Sequence, residues 1–215
     1  MPGKYVLAHD VGTEANKAAL VDIQGKIVGL DSEVYGVNYP QPCWAEQDPE
    51  VWWRAVVKST RRLIGKTRVS PADVIALIFD SMTVSALPVD REGKALRPAI
   101  IWLDTRAGKQ AGWCLENLDL LKLLDMGIIP PASEKDVIPK LRWIKAKEPG
   151  VFERTYKFMD VKDYIVHKCT GEFCTDRSCA LLSGLFNCRT NRWEKELIEN
   201  VEGAAVPVED DPLWA

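Results

Sequence analysis

Three apolar segments joined by very short connections fill the first 34 residues, and this arrangement constrains the fold more than any other feature. The segments 4–10, 17–23 and 26–34 have the length and apolar content that are typical of strands. Gly25 lies in a tight turn between the second and the third segment. Strands joined so closely pair antiparallel, because a parallel pair needs a long crossover connection. We therefore predict an antiparallel meander at the start of a sheet.

A well-marked helix follows the meander. Asp48 is predicted to cap it, Pro49 suits its first position and Glu50 complements the helix dipole. The apolar face is predicted to consist of Trp53, Val56, Val57, Thr60, Leu63 and Ile64.

The rest of the chain alternates between strand and helix patterns. Residues 72–81 form an apolar run that predicts a buried strand, a strand and turn follow at 85–97 with Gly93 in the turn, and residues 98–106 predict another strand. Helices are predicted at 105–117, 134–147, 161–168 and 193–200. The order βββαβ, continued by mixed elements, predicts an α/β domain whose mixed sheet opens in an antiparallel meander and is flanked by helices.

Composition excludes several classes of partner. A net charge of −3 over 215 residues argues against a nucleic-acid partner held by phosphate contacts. Apolar runs of membrane-spanning length are missing from the sequence, and residues 1–10 do not have the pattern of a signal peptide. We therefore expect no membrane partner and a cytoplasmic location, in which cysteines are mostly reduced thiols. Cys169, Cys174 and Cys179 recur every five residues, which does not fit zinc-ligand spacing and favours small buried side chains.

The connection between the first two strands carries residues suited to a phosphate group. Asp10 ends the first strand, Gly12 allows a positive φ and a close backbone approach, and Thr13 offers a hydroxyl. Lys17 adds a positive charge on the next strand. A carboxylate repels phosphate unless a cation lies between them, so Asp10 implies Mg²⁺. The alternative is an ordinary turn that happens to be polar.

Four longer motifs occur in order along the chain. They are "HDVGTEANKAALVD" (9–22), "CWAEQDPEVWW" (43–53), "LPVDREGKALRPAIIWLDTR" (87–106) and the segment that begins "KLRWIKAKEP" (140–176). Together they resemble the FGGY carbohydrate kinases, and within that family they look most like the xylulose kinase group.

The resemblance implies an actin-like ATPase (ribonuclease H-like) fold in two lobes, with ATP and Mg²⁺ in the cleft between them and a sugar or polyol as the phosphoryl acceptor. The phosphate loop maps onto Asp10, Gly12, Thr13 and Lys17, with Asp10 as the metal residue. The sugar side of the cleft maps onto residues 79–83 and onto Trp102 and Asp104, where an aromatic ring and carboxylates suit a sugar. Plain core packing remains open for Trp102, and a helix N-cap remains open for Asp104.

The chain also departs from the family pattern. Asp80, Ser81 and Met82 stand where relatives carry Ser, Gly and Gln, which changes the expected substrate side and puts xylulose itself in doubt. The resemblance further implies that residues 1–215 are an amino-terminal sugar-binding lobe that is incomplete at its carboxyl end. The catalytic aspartate and the second, ATP-binding lobe would then lie beyond residue 215.

These features leave three alternative functions. The first is the amino-terminal lobe of an ATP-dependent kinase that phosphorylates a pentulose such as xylulose, or a related sugar or polyol; this chain alone would be inactive. The second is a non-catalytic sugar-binding or regulatory module derived from such a lobe. The third, another actin-like ATPase, is disfavoured by the motifs at 43–53 and 87–106. The first function implies a carboxyl-terminal kinase lobe as partner. Without that lobe, the exposed apolar interface is expected to cause self-association, for example as a homodimer.

Overall fold

The structure is a computed structural model that describes residues 3–202, so residues 1–2 and 203–215 of the predicted domain lie outside the described residues. The strands within this range are β1 (Tyr5–Val11), β2 (Ala15–Asp22), β3 (Ile27–Val34), β4 (Glu46–Gln47), β5 (Val74–Ser81), β6 (Leu87–Val89), β7 (Ala99–Ile100), β8 (Lys157–Met159), β9 (Phe186–Asn187) and β10 (Arg192–Trp193). The helices are α1 (Pro49–Thr67), α2 (Gly108–Asn117), α3 (Leu120–Met126), α4 (Val137–Lys147), α5 (Pro149–Phe152), α6 (Val161–Thr170), α7 (Arg177–Leu182) and α8 (Lys195–Glu202).

The main sheet has four strands in the order β3-β2-β1-β5. The pairs β1–β2 and β2–β3 are antiparallel, and β5 lies parallel to β1. Gly25 has a φ of 85° in the turn between β2 and β3, which is why a glycine stands there. The predicted meander and the mixed sheet are both confirmed.

Helix α1 packs on one side of this sheet. As predicted, Asp48 caps it by accepting a hydrogen bond from the Glu50 N–H at 3.0 Å. The predicted buried face was partly wrong, because Trp52 is fully buried whereas Trp53 is only partly buried. The side chains that the helix buries are Pro49, Trp52, Ala55, Val56, Ser59 and Leu63.

Short strand pairs and helices build the second half of the chain. The pairs are β4–β7, β6–β8 and β9–β10, all antiparallel. The predicted strand 98–106 is reduced to β7, and the helix predicted from residue 105 begins only at Gly108. The connection between β7 and α2 contains the ion pair between Asp104 and Arg106. The patterns did not predict α3, α5 and α7 or the strands β8 to β10, which are too short for periodicity to mark them.

One prediction for the sheet was wrong. Strand β5 was predicted to be buried, yet Ile75, Leu77 and Ile78 are 54%, 51% and 55% exposed. Within the described residues β5 pairs only with β1, so one of its edges and parts of both its faces are uncovered. None of the helices in residues 3–202 has the length and apolar character needed to cross a bilayer.

Candidate functional site

The predicted phosphate loop is the β1–β2 hairpin. Asp10 stands near the end of β1 and Lys17 is its register partner on β2. Lys17 Nζ lies 3.1 Å from Asp10 Oδ2, and the two side chains are 71% and 47% exposed. An ion pair this exposed contributes little to stability, so a ligand can replace either partner at small cost. The structure thus places Asp10, Gly12, Thr13 and Lys17 together at an open edge.

The role expected of Gly12 changes in one respect. Its φ does not lie in the left-handed region, contrary to the prediction, and its N–H is already bonded to the Ala15 carbonyl at 3.0 Å. A Cβ at this position would lie 3.3 Å from the same carbonyl oxygen, so the glycine serves the close approach of the two strands. In the part of the chain that the structure describes, the N–H groups of Thr13 and Glu14 have no acceptor, and these amides remain as phosphate donors.

Side chains from outside the hairpin hold its carbonyl groups. The Tyr35 hydroxyl donates to the Gly12 carbonyl at 2.6 Å, and Gln47 Nε2 donates to the Thr13 carbonyl at 2.8 Å. Gln47 is itself held by the indole of Trp52 at 2.9 Å. Burial, with the nearby Asp10 carboxylate, raises the pKa of Tyr35, so its hydroxyl stays a donor. Sequence patterns did not single out Tyr35 or Gln47 as individual residues, although Gln47 lies within the motif at 43–53 and Tyr35 directly follows the third predicted strand.

Trp102 joins the predicted sugar side to the phosphate loop. Its indole N–H donates to the Thr13 hydroxyl oxygen at 3.0 Å, although 89 residues separate the two. The Trp102 side chain is 38% exposed, which does not fit plain core packing. Because the Thr13 oxygen acts as acceptor here, its own O–H is free to donate to a ligand.

The substituted stretch after β5 contributes one carboxylate and a local turn. Asp80 is the register partner of Asp10 on neighbouring parallel strands, so both side chains stand on the same face of the sheet. Ser81 is engaged locally, since its hydroxyl donates to the Met82 carbonyl at 2.7 Å. The Met82 N–H donates to the Val11 carbonyl at 3.0 Å, which ties this stretch to the phosphate loop.

Asp104 does not reach the cleft, which corrects the prediction of a sugar ligand or an N-cap. It is fully buried and accepts bonds from Arg106 and, at 2.6 Å, from the Ala45 N–H. The cap position of α2 is Ala107, which makes no side-chain cap bond. Asp104 is therefore a structural ion-pair partner. Arg106 also forms an ion pair with Glu46, with 2.8 Å between Nη1 and Oε1, and its guanidinium carbon lies 3.7 Å from the centroid of the Trp44 ring.

The cysteine expectation holds only in part. Cys179 is buried, but Cys169 and Cys174 are exposed. Ligand atoms of Cys179, Asp163 and Asp176 lie within 4.8 Å of one another. Asp176 caps α7 and pairs with Lys162, and Asp163 caps the N–H of Asp160. These contacts account for the cluster as structure.

A broad, open concavity with a volume of about 1130 Å³ lies against the sheet. Asp10, Lys17 and Asp80 belong to its lining, together with apolar residues such as Leu30 and Ile78 and with a second group of charged residues, Asp31, Glu33, Arg62 and Lys66. Two carboxylates in register on adjacent strands are the hard oxygen ligands that Mg²⁺ prefers. The part of the concavity around Asp10 and Asp80 therefore suits a metal-bound phosphate group.

Comparison with known proteins gives a consistent result. The profile of the FGGY family of carbohydrate kinases, N-terminal domain, matches residues 5–205. The chain is 33% identical over 205 residues to the xylulose kinase of Staphylococcus xylosus, covering 94% of this chain and 42% of the relative. It is 29% identical over 200 residues to the glycerol kinase of Thermococcus gammatolerans, covering 91% and 40%.

A solved structure agrees in fold. The ligand-bound xylulose kinase from Lactobacillus acidophilus superposes with a TM-score of 0.83 at 28% identity, covering 93% of this chain and 40% of that protein. The chain thus spans about 40% of the length of the relatives it matches. The predicted α/β fold of the actin-like ATPase kind is confirmed.

Proposed function

The chain belongs to the FGGY family of carbohydrate kinases, as its amino-terminal domain, and we propose that it forms one wall of a cleft in which ATP phosphorylates a sugar. The acceptor we propose is a hydroxyl of a pentulose such as xylulose, or of a related sugar or polyol. The observation that carries this proposal is the hydrogen bond between Trp102 and Thr13, because it fixes a sugar-facing ring against a phosphate-facing hydroxyl.

The hairpin would act on the phosphate groups of ATP. The free N–H groups of Thr13 and Glu14, the Thr13 hydroxyl and the Lys17 ammonium supply donors and positive charge. Asp10, with Asp80 beside it, would hold Mg²⁺ directly or through waters. When bound, the ion neutralises phosphate charge that the carboxylates would otherwise repel. The protein's own task is then to position the donors, on which phosphoryl transfer mainly depends.

The sugar would lie against the exposed part of Trp102, beyond the stretch Asp80–Met82. A partly exposed indole packs against the C–H face of a sugar, and carboxylates accept its hydroxyl protons. Asp80 is the carboxylate that suits this task, because Asp104 is buried in its ion pair with Arg106. The identity of the sugar is proposed from the relatives alone, which include both a xylulose kinase and a glycerol kinase.

The partner we propose is a carboxyl-terminal kinase lobe. The uncovered edge and faces of β5 expose Ile75, Leu77 and Ile78, and such surface is costly to leave in water. The share of the relatives' length that this chain leaves unmatched is ample for a further lobe. A homodimer through the same surface is the competing occupant.

The experiment is a complementation assay. This chain is assayed with D-xylulose, glycerol and related compounds for ATP-dependent ADP release, alone and together with a family carboxyl-terminal lobe. We expect no turnover alone and sugar-dependent turnover with the lobe. Sugar binding without turnover in the joined protein would favour the non-catalytic module, for which the altered stretch Asp80–Met82 is the supporting observation. Failure to bind any sugar in the joined protein would refute both.

A further inference from the structure

The segment between β5 and β6 contains a backbone conformation that valine rarely adopts. Val84 has a φ of 63°, in the left-handed region where a β-branched side chain crowds the backbone. Such conformations persist only where the surrounding structure over-determines them, and they cluster at binding and catalytic sites. Val84 lies two residues after Met82, next to the proposed sugar side of the cleft.

Two buried charged side chains hold both backbone polar groups of Val84. Lys140 Nζ donates to the Val84 carbonyl at 2.6 Å. Asp160 Oδ2 accepts from the Val84 N–H at 2.9 Å, and its Oδ1 lies 3.3 Å from the N–H of Ser85. Lys140 and Asp160 are almost completely inaccessible to water, so neither has solvent as an alternative partner.

Burying these two charges opposes stability. Desolvation lowers the pKa of Lys140 to about 8 and raises the pKa of Asp160 to about 6, both towards the neutral form. Apolar side chains of similar volume would fill this part of the core at lower cost. The two charges therefore do something that packing alone does not require. Asp160 also caps α6, where it accepts from the Val161 N–H at 2.8 Å, and both side chains contact the strained backbone of Val84.

The two ends of the strained segment are fixed to the two parts of the proposed site. At one end Met82 is bonded to Val11, beside the phosphate loop; at the other, Ala86 and Ile100 exchange hydrogen bonds of 2.9 and 3.1 Å, two residues before Trp102. Between them, Thr83 is half-buried. Within residues 3–202 neither its backbone groups nor its hydroxyl have a hydrogen-bond partner. Three unpaired polar groups at one position suit a ligand rich in hydroxyls.

We propose that Lys140 and Asp160 are positioning residues that hold Val84 in its left-handed conformation, so that the polar groups of Thr83 meet the hydroxyls of the substrate. The inference rests on the proposed function, since it takes the cleft to bind a sugar or polyol. It adds Lys140 and Asp160 to that function. These residues lie 56 and 76 positions beyond Val84 in the chain, and they act through the backbone and not by touching substrate.

The test is a rescue experiment on the two-lobed protein. Lys140→Met removes the donor to the Val84 carbonyl, and we expect D-xylulose and glycerol to bind about tenfold more weakly or worse. Glycine adopts a φ near +60° without strain. Adding Val84→Gly to Lys140→Met should therefore restore a substantial part of the affinity. The matched control adds Arg68→Gly, at the left-handed C-cap of α1, where φ is 56°. This change should restore nothing.

Dissociation constants from calorimetry, with thermal unfolding to verify the fold, decide the outcome. Unchanged affinity in folded Lys140→Met, or no rescue by Val84→Gly, overturns the inference and leaves the proposed function intact. A wild-type protein that binds neither compound refutes the proposed function itself. If Lys140→Met does not fold, Asp160→Asn takes its place, with a smaller loss expected and the same rescue by Val84→Gly.

Discussion

Asp10 and Asp80 lie directly beside each other, in register on the parallel strands β1 and β5 and on the same face of the sheet. The chain separates them by 70 residues, and neither strand alone would supply both carboxylates of the proposed metal site. Their alignment places both carboxylates side by side on one face of the sheet, where the proposed phosphate loop begins.

Asp10→Asn should keep the fold and sugar binding but weaken Mg²⁺-dependent turnover of the two-lobed protein by at least about 100-fold. The attraction between one carboxylate and a nearby unit positive charge is about 4 kcal/mol at an effective dielectric near 20. Titration of turnover with Mg²⁺ measures the effect. Asp22→Asn, at the other end of β2, is the matched control. A variant with the wild-type Mg²⁺ profile would show that Asp10 serves the hairpin alone.

Thr13→Ala and Trp102→Phe should each lower kcat/KM for ATP, and their effects should not add. Each removes one side of the same 3.0 Å hydrogen bond, which is worth about 0.5–1.5 kcal/mol. Residues in direct contact show an interaction energy in a double-mutant cycle, whereas distant residues do not. Effects that sum within error in the double variant would mean that the two loops act independently. Trp53→Phe, on α1, provides the tryptophan control.

The chain by itself should self-associate through the uncovered strand β5. Leu77→Lys and Ile78→Lys introduce charges on its two faces, where the side chains are about half exposed. Light scattering after size-exclusion chromatography should show a shift towards monomer in both variants. Leu121→Lys, which charges an exposed leucine on α3, should change nothing. A wild-type chain that is monomeric at high concentration contradicts the prediction.

Stability should fall as pH rises from about 4 to about 7, in part through Asp160 and Asp163. Burial raises the pKa of Asp160 to about 6 and that of Asp163 to about 7, so the folded state keeps protons that the unfolded chain has lost. Each group contributes a slope of up to about 1.4 kcal/mol per pH unit within that window.

The variant Asp163→Asn isolates one of these groups. It keeps an oxygen acceptor for the Asp160 N–H, now 3.0 Å away, but cannot ionise. Urea unfolding at several pH values should give a flatter dependence than wild type and higher stability near pH 7.5. Asp125→Asn, at an exposed position on α3, should follow the wild-type curve. An unaltered slope in Asp163→Asn would show that Asp163 is not protonated in this range.

Local sequence determined the parts of this protein in which neighbours along the chain decide the structure. Short turns forced the β1–β3 meander, Asp48 and Pro49 set the start of α1, and the β1–β2 hairpin brought Asp10 and Lys17, the residues of the proposed phosphate loop, side by side. In each case the interacting groups lie within a few residues of one another, so the chain has few alternatives. The long motifs added the family to which these elements belong.

Only the tertiary structure decided the role of Asp104, the exposure of β5 and the backbone conformation of Val84, because each depends on residues distant in the chain. The pattern of residues around Asp104 allowed a sugar ligand or a helix cap, and burial against Arg106 and Ala45 excluded both. The apolar run at 72–81 predicted a buried strand, but a strand is buried only if neighbours cover it, and the described residues leave β5 at an edge. The same holds for the backbone of Val84, since a left-handed valine becomes stable only when distant charged side chains hold it there.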